Sequence, residues 1–175
     1  GDTLPDPWIY FGYCTYYQLN VLRYSNLLLP QPGNDSIVYH FNFGMRTDTA
    51  NELYLVPDTF YQSVINLKAA GGRGAIVRKK EVALISLFYT AQLTACRHAN
   101  GRDWWVVAKR WLTNQYHFFL LDPSGFRLHH TQKFGTASVF RGGSTGQAVF
   151  SPKGDWYISS ENDVGVRVYR FDRCA

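Results

Sequence analysis

Short apolar runs separated by polar turns recur along the chain. Three stretches share one order: an apolar run, a turn of Gly, Asp or Asn, a second run, a polar gap and a third run. Alternation of apolar and polar residues within a run is the period of a strand whose one face is buried. The pattern predicts second strands near residues 37–43, 104–108 and 156–160, and no helix longer than about three turns.

The spacing of the three copies matches a unit of four strands. The turn glycines Gly33, Gly101 and Gly154 lie 68 and 53 positions apart, and propeller blades repeat every roughly 40 to 50 residues with insertions in their loops. We therefore expect an all-β fold of antiparallel four-stranded blades that form a partial β-propeller. The predicted organisation is a connection over 1–24, a first unit over 25–91, a second over 92–146 and an incomplete third over 147–175.

The first interval is the longer one, and we interpret residues 45–58 as an insertion between the second and third strands of the first unit. A short helical turn is expected at residues 49–56, because Asp48 can cap it. Fourth strands are predicted at residues 74–78 with 82–85 in the first unit and at 126–131 in the second. The third unit is predicted to lack its fourth strand.

Aspartates recur beside the turn glycines. Three such carboxylates could form a catalytic array, but Asp beside Gly is typical of tight turns, where its side chain bonds to nearby backbone. We therefore assign a structural turn role to Gly33, Asp35, Gly101, Asp103, Gly154 and Asp155.

Composition and charge narrow the classes of partner. Aromatic residues make up 17% of the chain, which favours strands. The net charge of +5 comes from scattered basic residues, so nucleic acid is not an expected partner. No apolar stretch approaches the roughly 20 residues that span a bilayer. Cys14, Cys96 and Cys174 form no metal-binding spacing, and a disulfide between two of them remains open.

Motifs of known catalytic sites are not found in the sequence. It contains no GxSxG, HExxH, P-loop or GxGxxG element, and the glycine-rich residues 141–146 are interpreted as a flexible connection. The pair His129 and His130 could suggest a metal site. Neighbours on a strand point to opposite faces, however, so both could face one ion only through a β-bulge. We predict no catalytic residue, cofactor or metal.

Ligand binding is predicted at the connections between second and third strands. Trp111 lies there beside two basic residues, and an exposed aromatic with cations suits a peptide or a sugar. The matching connection of the third unit is acidic. The predicted ligand-binding residues, on the face opposite the glycine turns, are Lys109, Arg110, Trp111, Asn114, Arg141, Glu161 and Asp163.

Three motifs together resemble the WD40-like propeller repeats of large secreted bacterial surface proteins. They are LPQPGNDS at residues 29–36, LTACRHANGRDWW at 93–105, and FSPKG at 150–154 with FDRC at 171–174. The resemblance covers nearly the whole chain. It implies a propeller architecture, further blades in the same parent chain and an extracellular or cell-surface location.

Two classes of function follow from this reasoning. The preferred one is a non-catalytic scaffold whose loops bind a protein or a glycan outside the cell. The alternative is a propeller enzyme, such as a lactonase, glycosidase or lyase, whose catalytic residues lie largely in other blades.

Overall fold

The computed structural model describes residues 25–48, 54–139 and 146–174, which form an all-β arrangement of antiparallel sheets. Helical structure in these ranges is limited to the short helix α1 (Ala69–Gly72) and a 3₁₀ turn at Thr90–Gln92. No helix among the described residues has the length and apolar character needed to cross a bilayer. The predicted all-β class is confirmed.

The first sheet has four strands in consecutive order. They are β1 (Asn26–Pro30), β2 (Ile37–Asp48), β3 (Tyr54–Asn66) and β4 (Ala75–Ile85). The second sheet repeats this order with β5 (Thr94–Arg97), β6 (Trp104–Lys109), β7 (Gln115–Asp122) and β8 (Gly125–Lys133). The third has β9 (Gln147–Phe150), β10 (Trp156–Glu161) and β11 (Gly165–Arg170). All three predicted second strands are confirmed.

The helical turn predicted at residues 49–56 is wrong as far as it is described. Residues 45–48 and 54–58 extend β2 and β3 into one long hairpin, with Arg46 opposite Val56 and a register shift after Gly44. Residues 54–56 are therefore strand and not a helical turn, and residues 49–53 lie outside the described part. Tyr, Leu and Val in succession favour the extended conformation over helix.

Two predicted strand segments at residues 74–78 and 82–85 are one continuous strand, β4. Lys80 has a positive φ of 50°, and the pairing with β3 shifts register on either side of it. A second irregularity lies in β8, where Phe118 pairs with His130 and Phe119 with Leu128. His129 is thus the extra residue of a β-bulge.

The second sheet is packed on both faces. Val106 and Ala108 belong to an apolar cluster shared with the first sheet, whereas Trp105 and Val107 belong to a cluster shared with the third. Trp104 packs against the first of these clusters. The adjacent residues Trp104 and Trp105 therefore face opposite sides of the sheet, in keeping with the alternation of side chains along a strand.

Candidate functional site

Two turns predicted to bind ligand lie at the end of the sheets opposite the glycine turns. One joins β6 to β7 and the other joins β10 to β11. In consecutive antiparallel strands these connections lie at the far end from the β5–β6 and β9–β10 turns. The two turns are close in space, because Lys109 at the end of β6 bonds Glu161 at the end of β10.

Lys109 and Glu161 do not lie on the surface where the sequence analysis placed them. The Nζ atom of Lys109 donates to both carboxylate oxygens of Glu161, at 2.5 and 2.6 Å. Their side chains are 0% and 3% exposed. Each is the last residue of its strand and alternates inward with the buried residues before it, which is why both are buried. The pair links the second and third sheets and is not available to a ligand.

Aromatic rings enclose this ion pair. The ammonium group lies 5.0 Å from the ring centroid of Tyr89 and 5.6 Å from that of Tyr116. Burial lowers the pKa of Lys109, and the hydrogen bond that it donates to Glu161 opposes that effect. Burial also raises the pKa of the Tyr89 and Tyr116 hydroxyls. Such an enclosed cluster is a structural element between sheets.

Asp163 and Asn114 bond the chain that connects the second and third sheets. The Asp163 carboxylate accepts from the Ser138 hydroxyl at 2.8 Å and from the backbone N–H of Val139 at 2.7 Å. The Asn114 amide donates to the carbonyl of Gly135 at 3.0 Å. These contacts order residues 135–139 along this end of the molecule. Arg141 lies outside the described residues.

Arg110 and Trp111 are accessible, whereas Asn114 and the exposed Asp163 are engaged by residues 135–139. Arg110 is exposed and Trp111 is half-buried. The turn is held in place because the backbone N–H of Trp111 donates to the carbonyl of Leu87 at 2.9 Å. Arg110 makes a long contact of 3.4 Å from its guanidinium to the Gln115 side chain, so it has donors left for a ligand.

Arg110 borders a cleft between the first and second sheets. The cleft has a volume of about 470 Å³. Its walls are Arg46, Asp58, Leu84, Ile85, Ser86, Leu87, Arg110 and His117. Arg46 and Asp58 form an ion pair at 3.3 Å across the β2–β3 hairpin. The cleft therefore offers two guanidinium groups against one carboxylate, and its net charge is positive.

His117 is the buried polar residue of this cleft. It is 5% exposed, and neither ring nitrogen has a hydrogen-bond partner among the described residues. The ring lies 5.7 Å from that of Phe88 and 6.5 Å from that of Phe119. Burial, helped by the nearby charge of Arg110, lowers the pKa of His117 from 6.5 to about 4. The imidazole is therefore neutral at pH 7, with one nitrogen able to donate and the other able to accept.

The sequence analysis missed His117, Arg46 and Asp58. His117 occupies an inward position in β7, in line with Phe119 and Leu121. The feature of the sequence that points to His117 is a histidine at a core-facing position of an apolar strand. The part played by Arg46 and Asp58 depends on the length of the β2–β3 hairpin.

The three glycine turns lie at the other end of the sheets and require a left-handed backbone. Gly33, Gly101 and Gly154 have φ of 75°, 71° and 73°, the left-handed region that glycine adopts without strain.

The aspartates of these turns bond side chains. Asp35 accepts from Lys68, Asp103 from Asn100 and Arg102, and Asp155 from Ser151. Backbone N–H groups of the turns also donate to the side chains of Asn34, Asn100 and Ser151.

Within residues 25–48, 54–139 and 146–174, no group of three or more His, Cys, Asp or Glu side chains is placed to hold a metal ion. Comparisons with protein-family models, with curated proteins and with solved structures found no match. The candidate site is thus defined by its own geometry: the cleft of Arg46, Arg110 and His117, with Trp111 bonded through its backbone to the cleft residue Leu87.

Proposed function

We propose that this chain is a non-catalytic scaffold of the partial-propeller type that binds a protein or a glycan outside the cell. The binding surface is the sheet end that carries the β6–β7 turn, with the cleft of Arg46, Arg110 and His117 at its centre. The extracellular location follows from the resemblance to secreted surface proteins, and the binding role follows from the cleft.

The propeller part of the proposal is supported by the way the sheets are ordered. The first two sheets each have four antiparallel strands in chain order. The first strands of the second and third sheets, β5 and β9, contact each other, as the inner strands of neighbouring blades do. The third sheet also leaves Val149, Val166 and Val168 exposed. A further blade of the same parent chain would cover these residues.

The observation that carries the binding role is the state of the His117 ring. A buried polar group without a hydrogen bond destabilises the folded protein by about 1–3 kcal/mol. Both nitrogens of His117 are in this state at the wall of an open cleft. A ligand group that enters the cleft can bond one of these nitrogens and recover part of this energy.

The charges of the cleft select the chemistry of the ligand group. Arg110 is exposed, and Arg46 is paired with Asp58. A carboxylate of the ligand can therefore accept hydrogen bonds from guanidinium donors and from a His117 N–H at the same time. Trp111 offers a ring on which a sugar or an aromatic side chain can stack. The expected partner is therefore a glycan or a peptide that carries an acidic group.

Matched ligand arrays test this proposal. The protein is applied to neutral glycans and to the same glycans bearing a uronic or sialic acid, with acidic and neutral peptides in parallel. We expect retention on acidic members that weakens as salt is raised. Equal retention on neutral and acidic members, or none on either array, would contradict it.

The non-catalytic part has its own test. We expect no hydrolase, lyase or redox turnover by the purified chain above a boiled control. A robust turnover that is lost on replacing His98, His117, His129 or His130 would favour the enzyme alternative.

A further inference from the structure

The β-bulge in β8 changes the relation between two adjacent histidines. In a regular strand, His129 and His130 would point to opposite faces. Because His129 has no partner in the register, the strand is locally bent. The Nδ1 atoms of His129 and His130 consequently lie 2.8 Å apart. Two imidazole nitrogens are thus adjacent on the outer strand of the second sheet.

This separation has a meaning for metal binding. Bonds from an imidazole nitrogen to a first-row metal ion are about 2.0–2.1 Å long. Two such ligands at a right angle lie about 2.8–3.0 Å apart, whereas two at a tetrahedral angle lie about 3.3–3.4 Å apart. The observed 2.8 Å fits the right angle, which is the geometry of square-planar and tetragonal Cu²⁺ or Ni²⁺.

Neighbouring rings position the pair. His130 stacks on Phe118 with centroids 4.6 Å apart and planes 8° from parallel. Trp105 contacts both histidines edge-on, at 5.0 and 6.1 Å. These contacts restrict rotation of the rings, so little order is lost when an ion binds.

The surroundings leave the pair open to solvent and to further ligands. His129 is exposed and His130 is half-buried. His130 also lines a cleft of about 380 Å³, together with the oxygen-bearing side chains of Gln132 and Asp172.

We propose that His129 and His130 form a two-histidine chelate for Cu²⁺ or Ni²⁺, with the remaining coordination positions open to water or to an oxygen ligand. The site lies in the bulge of β8, away from the Arg110 cleft, and is independent of the proposed function. The affinity for Cu²⁺ is expected to exceed the affinities for Ni²⁺ and Zn²⁺. The reasons are the general preference of protein ligands for Cu²⁺ and the right-angle geometry of the pair.

Copper titration of the tag-free protein tests this site. Cys14 and Cys174 are replaced by serine so that thiols neither bind nor reduce the ion. Calorimetry is expected to give one Cu²⁺ per chain, and electron paramagnetic resonance is expected to show hyperfine coupling to two imidazole nitrogens. Loss of an outer hydrogen-bond partner weakens metal sites by about 10–100-fold, so His129→Ala, which removes a ligand, should weaken binding by at least about tenfold.

His98→Ala is the matched control, since His98 also contacts the Trp105 ring, at 5.5 Å, but lies outside the bulge. It should keep the affinity and the two-nitrogen spectrum. His129 is exposed, so its removal is not expected to unfold the chain, and near-ultraviolet circular dichroism checks this. Unchanged copper affinity in His129→Ala, an equal loss in His98→Ala, or a wild-type spectrum without two imidazole nitrogens would each show that the pair is only a hydrogen bond.

Discussion

Lys109 and Glu161, 52 residues apart in sequence, form a buried ion pair in which one ammonium group bonds both carboxylate oxygens. The pair joins the last residue of β6 to the last residue of β10. It therefore couples the second sheet to the third beside the proposed binding surface. Removing one member leaves the other charge buried, which typically destabilises a protein by about 3–5 kcal/mol.

Replacement of Lys109 tests whether this pair holds the sheets together. Lys109→Met should lower the free energy of unfolding by about 3 kcal/mol or more, measured by urea denaturation with tryptophan fluorescence. Adding Glu161→Leu should recover most of the loss, because the buried carboxylate is then removed. Lys68→Met, at the exposed pair with Asp35, is the control and should show no resolvable change. A double variant as unstable as the single one would contradict this account.

Alanine at two turn glycines separates backbone strain from packing. Gly101 and Gly154 have nearly the same φ, but an added Cβ meets nothing within 4 Å at Gly101. At Gly154 it lies 2.9 Å from Cδ of Arg173 and 3.3 Å from Cβ of the buried Cys96. Gly101→Ala should lower the free energy of unfolding by about 1–2 kcal/mol, and Gly154→Ala by clearly more. Equal losses of unfolding free energy in the two variants would show that the contact with Cys96 does not contribute.

The pH dependence of stability reports the burial of His117. Its pKa falls from 6.5 in the unfolded chain to about 4 in the folded one, so the unfolded state binds the extra proton between these values. The contribution of His117 to the free energy of unfolding is therefore fully present above about pH 6.5. About 3 kcal/mol of it is lost as the pH falls towards 4. His117→Phe should flatten this part of the profile. Burial also lowers the pKa of His40 and of His130, and both residues remain in the variant. An unaltered profile in His117→Phe would contradict the assignment.

Much of the fold is predictable because its strands alternate regularly. β6 shows this best: its alternation places Trp104 and Trp105 on opposite faces, as the clusters show. The β2–β3 hairpin and the bulge at His129 were not predictable, since both depend on register between strands. The pairing of Lys109 with Glu161 likewise depends on the packing of the two sheets, so the sequence alone predicts a surface position for this basic residue at a strand end.

The accessible residues of the β6–β7 turn should affect binding and not folding. Replacing Arg110 and Trp111 together with Ala should leave the urea midpoint nearly unchanged and weaken an acidic partner by about 1–3 kcal/mol. The control is a variant of the glycine turn at residues 100–103 that still folds. Binding that survives the double replacement and fails in the turn variant would place the surface at the opposite end.

Nuclear magnetic resonance of the His117 ring tests the proposed cleft most directly. Long-range proton–nitrogen spectra are recorded while sodium glucuronate is added, with glucose as the match that lacks the carboxylate. We predict that glucuronate shifts the His117 ring nitrogens saturably, that glucose does not, and that Arg110→Ala abolishes the effect. His117 signals that respond equally to both sugars, or that stay unchanged while residues 98–103 respond, would contradict an acid-binding cleft at Arg110 and His117.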